Sequence, residues 1–135
     1  MVDRFAECLG GGPSAGYMVR VQNPVVLDQR SEPQPDIALV NRANYADRHP
    51  TPADILLIVE VSDSTLEYDR GVKLALYARH HIAEVWLFDV NTGELEVYRE
   101  PDGGQYRLMH KATASETVTP LLVPAAGISL AQVSA

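Results

Sequence analysis

Residues 55–62 read ILLIVEVS, an apolar run interrupted once, by Glu60. Continuous Val, Ile and Leu without alternation leave no side of a strand for water, so this segment is expected at the centre of a sheet covered on both faces. From Leu66 to His81 the apolar residues Val72, Leu74, Ala75, Leu76, Tyr77 and Ala78 fit one buried helix face, and Asp63, Ser64 or Thr65 can cap it. AEVWLFDV then supplies a second strand. A helix between two buried strands is a crossover, so the strands should run parallel, and the chain is restricted to the α/β class.

The remaining segments attach to this unit. Val2, Phe5, Ala6 and Leu9 lie at helical spacing before GGGPSAG stops the pattern. A helix that short is marginal alone, and a pattern already under way at Met1 leads us to expect further sequence upstream. YMVRVQNPVVL (17–27) reads as a strand bent at Asn23 and Pro24, with an exposed edge near Val25. Pro33 and Pro35 delay the next strand until Asp36, so it covers Ile37 to Val40. After the crossover, NTG and PDGG signal hairpins into ELEVYRE and QYRLMHKA, and a short strand is expected at Ile128–Leu130. The order α-β-β-β-α-β followed by antiparallel strands forms one domain of 135 residues.

The chain carries 11 Lys and Arg against 18 Asp and Glu, a net charge of −7, so it lacks the global attraction of a basic nucleic-acid binder. An enzyme that gathers carboxylates around a metal can still meet a phosphate through the cation and a few local arginines. Lysine occurs only at 73 and 111, so each position asks for a reason. The single Cys8 cannot form an intrachain disulfide, and no apolar run is long enough for a bilayer. The expected compartment is the cytoplasm.

Glu60 is the most informative residue, because an ionised, unpaired carboxylate in a buried strand costs several kcal/mol. Strict alternation puts Leu56, Ile58, Glu60 and Ser62 on one face, above which a cation, a base or a metal should lie. A structural ion pair is the simpler reading. Asp36 begins the neighbouring strand, and two carboxylates on adjacent strands form half of a magnesium site, since that ion keeps waters and takes further ligands from substrate phosphate. Lys73 follows Asp69 by four positions, an ordinary surface pair on a helix. Its helix, however, starts close to the end of the Glu60 strand, where a long stem could reach a phosphate oxygen.

PQPDIALV, LLIVEVSDSTLEYDRGVKLALYA and AEVWLFD together resemble the Uma2 family of restriction-endonuclease-like proteins, a branch of the PD-(D/E)XK nuclease superfamily. The resemblance runs from about VRVQNPV through the last strand, and it implies a restriction-endonuclease-like core (α-β-β-β-α-β) with a mixed sheet. It assigns Asp36 and Glu60 to metal binding, Mg2+ or Mn2+, and places Tyr68, Asp69 and Arg70 along the site. Ser62 stands where the superfamily motif has its lysine, and Lys73 on the following helix matches the displaced one. Relatives resembling this chain begin further upstream.

These residues imply metal-assisted phosphodiester hydrolysis with Asp36, Glu60 and Lys73 as the catalytic set, DNA as partner, and a homodimer to hold a duplex. The competing reading is a catalytically silent interaction or assembly protein on the same fold; a small-molecule phosphohydrolase is a third. GGGPSAG lacks the GK[ST] ending and the strand-to-helix context of a phosphate loop. Adjacent His80 and His81 diverge by about 100° and belong at the C-terminal dipole of a helix. Trp86 and Phe88 read as core residues.

Overall fold

A computed structural model describes residues 1–10, 16–62 and 67–134, with the side chains of 67–69 and 134 outside the description. The elements in chain order are α1 (Val2–Leu9), β1 (Tyr17–Val21), β2 (Ile37–Asn41), β3 (Ile55–Ser62), α2 (Glu67–Arg79), β4 (Glu84–Asp89), β5 (Leu95–Asp102), β6 (Gln105–Ala112), β7 (Thr117–Val118), β8 (Ile128–Ser129) and α3 (Leu130–Ser134). The first six strands form one sheet in sequential order, and β7 pairs with β8 in a small antiparallel sheet. Only β3 and β4 are parallel, joined through α2; every other neighbouring pair in the large sheet is antiparallel. The crossover read from ILLIVEVS and AEVWLFDV is therefore present, and the sheet is mixed.

Each sheet face has its own apolar cluster. Phe5 and Leu9 of α1 pack with Ile37, Leu39, Leu57, Val59, Trp86 and Phe88, and the chain end adds Val118, Ile128, Leu130 and Val133. Phe5 and Phe88 meet edge to face, their ring centroids 5.0 Å apart. On the opposite face Tyr77 and Ile82 join Ala38, Val40, Ile55, Ile58 and Val85, together with Val25 and Leu27. Helix α1 stops at Gly10, whose φ of 73° and ψ of −152° suit a residue without a Cβ. The adjoining residues 11–15 and the cap candidates Asp63, Ser64 and Thr65 lie outside the described residues.

Five local expectations change, the first being that Val72, expected on the buried face of α2, is 51% exposed. Strand β1 ends at Val21, because Gln22 turns with φ of 51° and the chain then folds over the α2 face. Val25 is accordingly fully buried and belongs to no strand edge. Its amide donates to Pro33 O, and the Val26 amide to Pro50 O, so backbone groups that a longer strand would pair are satisfied by loops. In β3, Leu39 pairs with Leu57 while Val40 pairs with Ile55, which leaves Leu56 as a bulge. Leu56 packs against the α1-side cluster, so strict alternation fails there, and Ile58 shares the α2 face with Glu60. At the chain end Leu130 begins a helix instead of completing the strand.

Glu84 at the start of β4 is fully buried and was not singled out by its sequence context. Its Oε2 accepts from Trp86 Nε1 at 2.7 Å and Arg99 Nε at 2.9 Å, and its Oε1 accepts from the Leu121 amide at 2.8 Å. Arg99 also donates to Thr119 O at 2.8 Å, so one carboxylate ties β4, β5 and the 119–121 segment together. Glu84→Ala strands the buried Trp86 and Arg99 donors, and equilibrium urea unfolding should show a loss of about 3–5 kcal/mol.

Candidate active site

The register brings the two sequence-selected carboxylates together. Ile37 pairs with Val59, which sets Asp36, the residue before β2, beside Glu60 in β3. The Asp36 amide donates to Glu60 Oε1 at 3.1 Å, and the Val61 amide donates to Asp36 Oδ2 at 2.8 Å. Each acid thus accepts a backbone hydrogen bond from the other strand, and the exchange fixes both carboxyl groups at the end of the β2–β3 ladder. Buried Pro35 and the Gln22 amide bonded to Asp36 O at 2.9 Å hold the strand entry from the other side.

Helix α2 closes over Glu60 with two side chains four residues apart, hence on one helix face. Lys73 Nζ lies 3.4 Å from Glu60 Oε2, and Tyr77 Oη donates to the same oxygen at 2.9 Å. Glu60 is 5% exposed, whereas the Lys73 side chain is 52% exposed, so the ammonium sits at the mouth of the site. Burial raises the Glu60 pKa above the ordinary 4.5 despite the opposing pull of Lys73, the Asp36 amide and Tyr77. Burial and the neighbouring Glu60 charge raise that of Tyr77, which stays a hydrogen-bond donor.

Counting lone pairs shows what remains available. Glu60 Oε2 is taken by Tyr77 and Lys73, while Oε1 accepts one backbone hydrogen and keeps one lone pair. Asp36 has one amide on Oδ2 and keeps the rest. Two adjacent carboxylate oxygens with free lone pairs, one of them partly solvent-exposed, suit a hard cation that retains waters. Among the described residues no group of three or more His, Cys, Asp or Glu forms a metal cluster, and Asp36 and Glu60 stand as a pair.

The other site candidates separate. Ser62 ends β3, exposed, and its carbonyl accepts from the Val90 amide. Arg70 donates to Glu96 Oε1 at 2.9 Å, on β5. Glu60, Leu87 and Glu96 lie in one register row, which places Glu96 two strands away, about 10 Å. Tyr68 and Asp69 belong to the first turn of α2, and their side chains lie outside the described residues. The sequence pattern marks Tyr77 only as a core residue; its spacing from Lys73 is the available signal. Glu96, which anchors both Arg70 and Tyr98, had no signal beyond its place in an alternating strand.

A family match covers residues 2–132 and is described as Uma2, "Putative restriction endonuclease". The chain belongs to the Uma2 family. Among solved structures it is similar to that of an Anabaena variabilis protein described as "a putative nuclease belonging to DUF820", with a TM-score of 0.71, 13% identity, and coverage of 98% of this chain and 75% of that one. At that identity the likeness concerns the fold, and it supports the nuclease-like α/β core. Among curated proteins no match is found.

In this Uma2 domain a carboxyl group with a raised pKa stabilises the folded state fully below the unfolded value of 4.5, and that contribution is lost as pH rises through the folded value. Glutamine has no such dependence. Glu60→Gln should therefore gain thermal stability relative to wild type between acidic and neutral pH. A Glu60→Gln chain that is less stable than wild type throughout would make Glu60 a structural acid, ionised and held by Lys73, Tyr77 and the Asp36 amide. Tyr77→Phe removes a buried hydrogen bond to a charged group and should cost about 1.5–3 kcal/mol in urea unfolding.

Proposed function

We propose that the chain is a metal-dependent endonuclease that hydrolyses phosphodiester bonds of DNA, acting in the cytoplasm as a homodimer. The observation that carries this reading is the Asp36–Glu60 exchange with Lys73 at its mouth: two acids with unfilled lone pairs on a rigid ladder, next to an exposed cation. Asp36 and Glu60 would hold magnesium or manganese, which when bound neutralises a nonbridging phosphate oxygen and makes water a better nucleophile. Asp36 and Glu60 keep fixed positions through the reaction because each is tied to the other's strand. Lys73 turns its ammonium toward the phosphoryl oxygens as charge builds on them. One water oxygen bonds to phosphorus as the bond to the leaving alkoxide breaks, and the products are a phosphomonoester and an alcohol. Among the described residues no helix is long and apolar enough to cross a membrane.

A silent assembly role has one observation in its favour. Lys73 already neutralises Glu60 within the chain, so the site holds its charge without a metal. The two readings part on supercoiled plasmid and a short RNA incubated with purified protein and magnesium, manganese or EDTA. We expect metal-dependent plasmid cutting, reduced about 100-fold or more in Lys73→Ala. Protein that is folded, binds manganese no better than Glu60→Gln, and leaves both substrates intact would overturn the nuclease reading.

A further inference from the structure

Outside the carboxylate site, Arg20 is held against an aromatic ring with no ion-pair partner among the described residues. Arg20 projects from the edge strand β1, and its Nε is buried with no hydrogen-bond partner. Its guanidinium carbon lies 5.1 Å from the centroid of the Tyr45 ring, and among the described residues Arg20 makes no ion pair. Tyr45 is itself anchored, its hydroxyl donating to Asn41 O at 2.6 Å. Arg48 approaches the same ring at 5.0 Å and is fixed by Asp54 at 2.7 Å. Asp54 is in turn held by the amide and hydroxyl of Thr51, so its charge is already used. The loop 42–54 therefore builds a support that presents two guanidinium groups on one aromatic ring. Among the described residues only Arg48 of the two has an ion-pair partner.

A guanidinium that gives up water at Nε and gains no acceptor loses hydrogen bonding with nothing in the fold to replace it. With Nε closed to solvent, the outer edge of the fork, Nη1 and Nη2, is what matches the two nonbridging oxygens of a phosphodiester, and holding it on a ring reduces the ordering needed on binding. The register relates it to the carboxylates. Arg20 pairs with Ala38 and Ala38 with Ile58, two residues before Glu60, so Arg20 projects on the same sheet face as Glu60. Two strand spacings across and two residues along separate the Cα atoms by about 12 Å. That distance is about three or four base-pair rises of duplex DNA.

We infer that Arg20, carried on Tyr45 beside Arg48, binds a backbone phosphate of the DNA flanking the position held by Asp36 and Glu60. This rests on the nuclease reading. The bland account is a surface arginine covering an aromatic ring, and the two differ in salt dependence. A phosphate contact releases counterions, so its removal lowers the slope of log affinity against log salt by about 1.

The test is fluorescence anisotropy of a labelled duplex in calcium buffer across a salt series. Wild type is compared with Arg20→Gln, Arg20→Lys and Arg107→Gln, the last changing net charge equally on the opposite edge strand β6. Binding about tenfold weaker in Arg20→Gln, a slope smaller by about 1, partial recovery in Arg20→Lys and wild-type behaviour in Arg107→Gln support the site. Melting temperatures measured in parallel should not fall for Arg20→Gln, since the substitution removes an unsatisfied buried donor. Wild-type binding with Arg20→Gln indistinguishable from Arg107→Gln overturns this site and leaves the nuclease reading standing. A wild-type protein that binds no duplex overturns the nuclease reading, and this inference with it.

Discussion

The structure turns on keeping one carboxylate, Glu60, in a strand that otherwise excludes water. Its burial is tolerated because three groups reach it: the Asp36 amide from the entry to β2, and Lys73 and Tyr77 from α2. Those contacts also set the geometry of the domain. The amide bond fixes where β2 begins relative to β3, and the Lys73 and Tyr77 contacts fix how α2 lies across the sheet. An acid that would destabilise an isolated strand thus becomes the point at which strand register and helix placement agree.

Two buried acids differ in what they leave open, which is why Glu60 is the candidate site and Glu84 a structural joint. Glu84 is enclosed, with both oxygens engaged by Trp86, Arg99 and the Leu121 amide. Glu60 lies near the end of its strand, next to a second acid, and its cation is half in solvent. Burial is similar in the two cases. The difference lies in the unfilled lone pairs and in the access that a strand end provides.

The charge balance fits this arrangement. A chain of net charge −7 has no general attraction for a polyanion, so any affinity has to be local. Cations that are committed elsewhere in the fold do not contribute equally: Arg99 is spent on Glu84, Arg70 contacts Glu96, and Arg48 contacts Asp54. Lys73 and Arg20 differ, the first by its exposure beside the acids and the second by its position on Tyr45 with no counter-ion among the described residues. The Uma2 family membership and the nuclease-like fold are consistent with chemistry concentrated at a small number of such positions.

The central crossover was legible in the sequence because a run of Ile, Leu and Val followed by a helical period admits few other arrangements, and a single charge inside that run drew attention to Glu60. Asp36 was legible from the two prolines that delay its strand, and Lys73 from family resemblance. Three things were decided only in three dimensions. The bulge at Leu56 shifted the face assignment, since register depends on the partner strand and no local pattern encodes it. Arg70 turned to Glu96 and Tyr77 to Glu60 because those acids lie 26 and 17 residues away in sequence and meet α2 only once the sheet has formed. Sequence fixes which residues carry charge and which elements they sit on; the partners that neutralise each charge are long-range neighbours, and packing alone selects them.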